Sequence, residues 1–147
     1  MTDQNFLKQV ERGEAAAEQG NTLVALFHLE NAALLGCTPT LASYLGYCLA
    51  QERRQFKKGA GLCREALKQE PEQAIHYLNL GRVYLAAGEK VLAIKTFRQG
   101  LKFGRNRLIV EQLKKLGIRK QPVFCALSRS HPLNKHFGLL FTRLGMR

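Results

Sequence analysis

The sequence predicts an all-α protein built from repeated antiparallel helix pairs, and three observations indicate this. Small and apolar residues recur at intervals of 34 positions along most of the chain. Within each copy, apolar side chains fall at steps of three and four residues, which places them along one face of a helix. No segment of useful length alternates apolar and polar residues, as a half-buried strand would.

Three columns of residues carry the 34-residue period through three successive copies. They are Ala25, Gly59 and Ala93; Leu29, Cys63 and Phe97; and Ala32, Ala66 and Gly100. Upstream of them, Gly13, Gly46 and Gly81 recur at spacings of 33 and 35 residues. Small residues at these positions would let the two helices of a pair approach closely. Because no single unit can bury its apolar face alone, we expect the three units to stack.

The third copy, residues 74–104, shows the repeat most clearly. Its key positions are Tyr77, Leu80, Gly81, Tyr84, Ala93 and Phe97. This spacing resembles the tetratricopeptide-repeat pattern, in which an aromatic residue, Leu-Gly, Tyr, and then Ala and Phe recur every 34 residues. The second copy is looser and has one extra residue in the turn between Gln51 and Phe56. The first copy has Arg12 where the pattern has Leu, and terminal repeats are expected to be atypical.

The resemblance implies a right-handed superhelical solenoid with one concave face, extending over residues 1–117. The repeats would cover about residues 6–38, 39–73 and 74–107, and a capping helix would follow at 107–116. Gly88 suits the left-handed conformation that ends the first helix of a pair.

Residues 118–147 have a different character, with six basic residues and no acidic one. Pro122 and Pro132 interrupt this basic segment, and Ser130 is placed to cap a short amphipathic last helix. The apolar face of that helix would consist of Leu133, Phe137, Leu140, Phe141 and Leu144. Three interpretations stay open: the segment completes its own core, docks on another protomer or a partner, or lies on an anionic membrane.

The net charge of +12 is unevenly distributed along the chain. Residues 1–36 hold five acidic and two basic residues, so the basic excess lies in the remainder. The basic residues form two clusters, Arg53, Arg54, Lys57 and Lys58, and Arg105, Arg107, Lys114, Lys115, Arg119 and Lys120. Such clusters are suited to nucleic acid or an acidic membrane, because Lys and Arg displace counterions at phosphates. A solvated basic surface that keeps the protein soluble is the alternative.

The sequence contains no set of residues that predicts catalysis. It lacks a Gly-rich phosphate loop, an HExxH motif and a nucleophile–base pair, so we expect neither an enzyme nor a cofactor or metal. Cys37, Cys48 and Cys63 are expected to be small apolar fillers, whereas the reactivity of Cys125 stays open. No stretch reaches the about 20 apolar residues that cross a bilayer, and no secretory signal is evident, so we expect a cytoplasmic protein.

The resemblance also implies where a ligand would bind. In tetratricopeptide-repeat proteins the first helix of each pair lines the concave groove. By position, this groove would hold Leu7, Val10, Glu11, Glu14, Glu18, Thr40, Ser43, Tyr44, Tyr47, Gln51, Ile75, Leu78, Asn79, Arg82 and Leu85. The candidate partner-binding residues among them are Tyr44, Tyr47, Asn79, Arg82, Glu11 and Glu14.

The predicted function is a non-catalytic scaffold or adaptor that binds a peptide or helix in this groove. One subfamily grips a C-terminal carboxylate with Lys and Asn in its first repeat, but Val10 and Glu14 stand at those positions here. A carboxylate clamp of that kind is therefore not expected. The alternatives are an anion-directed module that binds nucleic acid or acidic membrane, and a homo-oligomer formed through the C-terminal segment.

Overall fold

The computed structural model describes residues 2–117, and within them it shows helices and turns but no strand. The α-helices of this part of the chain are α1 (Thr2–Glu18), α2 (Thr22–Ala33), α3 (Pro39–Arg53), α4 (Phe56–Gln69), α5 (Ala74–Ala86), α6 (Lys90–Gly100) and α7 (Arg107–Lys115). A short 3-10 helix, Leu101–Phe103, lies between α6 and α7. The expectations for residues 118–147, including the last helix and Cys125, lie outside the described residues.

Helices α1 to α6 form three successive pairs, α1–α2, α3–α4 and α5–α6. The pairs stack because α3 contacts α1, α2 and α5, and α5 contacts α4. The first helices of the pairs are therefore neighbours, as they are on the concave face of a repeat solenoid. Residues 2–114 make one compact unit. The prediction of an all-α stack of helix pairs is confirmed.

All nine residues of the three repeat columns are buried. Leu29, Cys63 and Phe97, the largest of them, have no exposed surface. This column lies on the second helix of each pair and fills the space against the first helix. The repeat period is thus the period of the core itself.

Two close approaches explain the recurring glycines of α3 and α5. A Cβ atom on Gly46 would lie 2.5 Å from the carbonyl oxygen of Gly59, and a Cβ on Gly59 would overlap the carbonyl oxygen of Gly46. A Cβ on Gly81 would overlap the ring of Phe97. The backbones of α3 and α4 therefore touch directly, and α5 presents a flat surface to the Phe97 ring.

Local sequence signals set the ends of several helices. The side chain of Thr38 accepts a hydrogen bond from the Leu41 amide at 3.2 Å, and Pro39 follows in the first turn of α3. Gly88 has the predicted left-handed conformation, with φ of 83°. Arg54 ends α3 with a φ of 55°, which is uncommon for a side-chain-bearing residue. This is the turn in which the second copy carries its extra residue.

The cysteines divide into two buried ones and one exposed one within residues 2–117. Burial raises the pKa of the Cys48 and Cys63 thiols to about 12, so both stay protonated and act as core residues, as predicted. The expectation that Cys37 is an apolar filler is wrong, because it is exposed. It lies in the connection between α2 and α3, outside the repeat columns that define the core.

Helix α7 follows the third pair along the chain. The side chain of Asn106 accepts a hydrogen bond from the Ile109 amide at 3.1 Å and so caps the helix start. Ile109 is fully buried, and its Cδ1 atom lies against Gly100 at the end of α6. One apolar residue thus anchors α7, while Leu108 and Leu113 stay partly exposed.

Candidate functional site

The six candidate residues all lie on the first helices of the pairs. Glu11 and Glu14 belong to α1, Tyr44 and Tyr47 to α3, and Asn79 and Arg82 to α5. We refer to the side of α1, α3 and α5 that carries Glu11, Glu14, Tyr44, Tyr47 and Arg82 as the groove face. The contacts of α3 with α1 and α5 bring the three parts of this face together.

Tyr47 and Arg82 form a stacked pair across α3 and α5. The guanidinium carbon of Arg82 lies 4.8 Å from the centre of the Tyr47 ring, which is the geometry of a cation–π interaction. Tyr47 is 9% exposed and Arg82 is 8% exposed. Burial raises the pKa of Tyr47, and the positive charge of Arg82 opposes this shift. The tyrosine is therefore neutral at physiological pH and holds the guanidinium by its ring face.

The α1 side of the groove face is acidic. Tyr44 is buried and its hydroxyl donates a hydrogen bond to Glu18 at 2.9 Å. Burial raises the pKa of Tyr44, and the hydrogen bond to Glu18 and the charge of that carboxylate raise it further. Burial also raises the pKa of Glu14, and the negative charges of Glu18 and Glu11 add to this effect. Glu11, Glu14 and Glu18 thus form one electronegative surface, which we call the acidic lip.

Asn79 lies inside the fold and not on an open surface. It is fully buried, and its Nδ2 atom donates to the hydroxyl oxygen of Ser43 at 3.1 Å. The Ser43 hydroxyl donates to the carbonyl oxygen of Thr40 at 3.1 Å, and His76 Nδ1 lies 3.0 Å from the Ser43 hydroxyl oxygen. On the other side of the ring, His76 Nε2 lies 2.8 Å from a carboxylate oxygen of Glu70.

This polar cluster was not predicted from the sequence. We call it the Ser43 network, made of Ser43, His76, Asn79 and Glu70. Ser43 and His76 have no exposed surface, because α3 and α5 pack directly against each other at this level. Ser43 and Asn79 were expected to face a ligand, but they instead join two neighbouring repeats. The near-repeat spacing of Ser43 and His76, 33 residues, is the one signal that could have indicated a contact.

Removing the central hydroxyl of the Ser43 network is expected to destabilise the fold. In Ser43→Ala, the Asn79 amide and the His76 ring would each lose a buried partner, at a cost of about 2–3 kcal/mol in the free energy of unfolding. Urea unfolding followed by circular dichroism measures this cost. Thr40→Ala removes a partly exposed hydroxyl from the same helix turn and should cost less than about 1 kcal/mol. Equal costs for both variants would contradict the role given to Ser43.

A cleft opens beside Arg82 at the α5 side of the groove face. It has a volume of about 260 Å³ and is lined by Tyr47, Gln51, Arg82, Leu85, Ala86 and Gln112. The Nη1 atom of Arg82 is buried and has no hydrogen-bond partner among residues 2–117. No carboxylate of this described range forms a salt bridge with Arg82 either. We call this space the Arg82 cleft, and amide and apolar side chains line it together with Arg82.

The described residues offer no site for a metal ion. Within the range 2–117, no three His, Cys, Asp or Glu side chains converge closely enough to hold one. In the same part of the chain, no helix combines the length and the apolar character that crossing a bilayer requires.

The predicted basic clusters are partly neutralised by neighbouring carboxylates. Arg53 donates from Nη1 and Nη2 to the two carboxylate oxygens of Glu30, at 2.6 and 3.0 Å. Arg107 pairs with Glu111 at 3.3 Å. Arg54 stacks over the ring of Phe56, with 5.3 Å from its guanidinium carbon to the ring centre. The anion-binding alternative stays a prediction that rests on the remaining basic side chains.

Comparisons with solved structures give a consistent fold. The chain is similar to the second tetratricopeptide-repeat domain of human RPAP3, in complex with an HSP70 peptide, at 13% identity and a TM-score of 0.56, over 81% of this chain and 100% of that one. It is also similar to the first such domain of Spaghetti (RPAP3), bound to an HSP90 peptide, at 18% identity and a TM-score of 0.56, over 78% and 91%.

A third similar structure is the Sgt2 tetratricopeptide-repeat domain from Aspergillus fumigatus, at 13% identity and a TM-score of 0.54, over 88% of this chain and 93% of that one. No protein-family model matches the sequence. No curated protein sequence shows significant similarity to it. The likeness to solved structures, together with the repeat columns and the stacked helix pairs, identifies the fold of this chain as the tetratricopeptide-repeat solenoid.

Proposed function

We propose that this chain is a non-catalytic adaptor whose groove face holds a peptide or helix of a partner protein. The observation that carries the proposal is Arg82. Its guanidinium is held in place by Tyr47, its buried Nη1 atom has no partner within the described residues, and its side chain lines an open cleft. A buried donor that residues 2–117 leave without an acceptor is suited to receive a ligand.

The residue types of the groove face support the same proposal. Tyr and Arg are enriched among residues that dominate binding energy, because they combine large contact area with directed polar groups. Tyr47 and Arg82 are immobilised before binding, which lowers the entropy cost of forming a complex. The RPAP3 and Spaghetti domains were solved with chaperone peptides, which supports a peptide as the kind of ligand.

The chemistry of the ligand need not be that of the chaperone peptides. Both peptides end in the acidic sequence EEVD. Here the acidic lip of Glu11, Glu14 and Glu18 would repel a second acidic cluster, since burial and then the charges of Glu18 and Glu11 already raise the pKa of Glu14. We therefore propose a protein partner without transferring the chaperone specificity. A cytoplasmic location stays a prediction.

A capture experiment with matched variants tests the proposal. The groove variant is Tyr47→Ala with Arg82→Gln. We expect it to lose the partner that the wild type retains from native lysate, because it removes the stacked tyrosine and arginine that would contact the ligand. The matched control is Phe27→Ala with Arg98→Gln, which removes an exposed aromatic residue of α2 and an exposed arginine of α6. It should retain the partner. Thermal unfolding of both variants establishes that they are folded.

Two results would contradict the groove as the binding surface. The first is a partner that survives the groove variant but is lost with the control variant. The second is a catch of nucleic acid or lipid that falls away from every bait between roughly 50 and 200 mM salt, as phosphate contacts do. That second result would favour the anion-binding alternative. Sedimentation at several concentrations tests the homo-oligomer.

A further inference from the structure

Arg82 carries a buried charge that forms no salt bridge within the described part of the fold. Its side chain is more than nine-tenths buried, and no carboxylate among residues 2–117 lies within salt-bridge distance. The Tyr47 ring offsets part of the lost hydration, but a ring face cannot satisfy an N–H donor. Nη1 therefore remains a donor without an acceptor inside this range.

The surroundings of Nη1 indicate which acceptor fits. The Arg82 cleft has a volume of about 260 Å³, which is a small space suited to one side chain. Its walls include apolar groups of Leu85 and Ala86 and the amides of Gln51 and Gln112, from three different helices. A guanidinium prefers a carboxylate, which it binds through two parallel hydrogen bonds. The apolar walls suit the methylene groups that carry such a carboxylate on Asp or Glu.

The acidic lip restricts where that carboxylate sits in the ligand. Glu14 and Glu18 lie on α1, on the far side of α3 from the Arg82 cleft, and both charges act on Tyr44. A run of acidic residues along the groove face would meet these carboxylates and be repelled. One acidic side chain placed next to Arg82 on α5, in a segment that is neutral or basic toward α1, meets less of this repulsion.

We propose that the Arg82 cleft is a subsite for the carboxylate of one internal Asp or Glu side chain in the bound segment. The inference rests on the proposed function, since it names the chemistry that the groove face recognises. A chain-terminal carboxylate offers the same group, so the test separates the two sources. The terminal source is disfavoured because Val10 and Glu14 occupy the positions from which Lys and Asn grip a terminus.

The test uses displayed libraries of random 12-residue peptides, one fused through its C-terminus and one with a free C-terminus. The baits are the full-length wild type, Arg82→Gln, and Arg98→Gln as a control with the same change on the exposed face of α6. We expect wild type and Arg98→Gln to select peptides of the fused library with a recurrent Asp or Glu. Arg82→Gln should lose that enrichment.

A double-mutant cycle on the strongest selected peptide then measures the pairing directly. Changing its recurrent acidic residue to the amide should weaken binding to wild type by roughly ten- to hundredfold in fluorescence anisotropy, and should hardly affect binding to Arg82→Gln. Arg82→Lys serves as a second variant if Arg82→Gln does not fold, since it keeps the charge but loses the two-pronged geometry. The amide change in the peptide tests the wild-type protein in any case.

Each other outcome overturns a distinct claim. Equal enrichment of acidic residues by Arg82→Gln, or an additive cycle, would overturn the subsite while leaving a peptide-binding groove in place. Selection only from the free-terminus library, with binding abolished by amidation of the terminus, would replace the side-chain carboxylate by a terminal one. Failure of wild type to select any peptide would overturn the proposed function and this inference with it.

Discussion

Gly59→Ala is expected to destabilise the solenoid by about 2–3 kcal/mol, although alanine is the better helix former by about 1 kcal/mol. The new methyl group would overlap the carbonyl oxygen of Gly46, which is backbone and cannot rotate away. Relief requires α3 and α4 to move apart along their whole contact. Since α3 bears Tyr44 and Tyr47, the same movement would also disturb the groove face. Urea unfolding measures the loss.

The same helix supplies the control for this prediction. Gly61 lies two residues further along α4, and a Cβ added there would meet nothing within 4 Å. Gly61→Ala should therefore stabilise the protein by about 0.5–1 kcal/mol through helix propensity alone. Shifts of the same sign for both variants would show that the α3–α4 approach is looser than the structure has it.

Phe97→Ala is expected to cost about 3–5 kcal/mol in the free energy of unfolding. Phe97 is fully buried, and its ring fills the space that Gly81 leaves open on α5. Without the ring, α5 and α6 would lose the contact between Gly81 and Phe97. Arg82 follows Gly81 on α5 and would lose its fixed position. We expect the midpoint of urea unfolding to fall and partner capture to weaken together.

Phe103 provides an aromatic control near the same repeat. Its ring is 45% exposed and stacks on Tyr77 with 5.4 Å between ring centres. Truncation to alanine there should cost about 1 kcal/mol, because most of what is lost is one aromatic pair at the surface. Comparable losses for Phe97→Ala and Phe103→Ala would contradict the role of Phe97 as the centre of the third repeat.

The fold was predictable because the same short pattern of small and apolar residues occurs three times in the sequence. The column of Leu29, Cys63 and Phe97 repeats one core position, so each copy supports the reading of the others. Cys37 was mispredicted because residue type alone placed it in the core, and no repeat column includes it. The sequence shows that the second copy has an extra residue, but it does not predict that Arg54 adopts the left-handed conformation.

The groove face was predictable only in part. The repeat register places Tyr47 and Arg82 on neighbouring first helices. It predicts neither their 4.8 Å stack nor that Nη1 of Arg82 has no partner among residues 2–117. Those features depend on side-chain rotamers and on the distance between α3 and α5. The burial of Asn79 was missed for the same reason, since its partner Ser43 lies 36 residues away. A sequence period identifies faces of helices, and not the hydrogen bonds between them.

The Ser43 network also influences which repeat can stack next to which. In a solenoid with purely apolar contacts, any unit could stack on any other with similar energy, and a duplicated or shuffled unit would be accepted. Here the second and third units share buried hydrogen bonds that join Ser43 of one unit to His76 and Asn79 of the next. A foreign neighbour would leave these groups unsatisfied. We therefore expect the second and third repeats to stack specifically on each other, so that neither can be exchanged for another repeat without loss of stability.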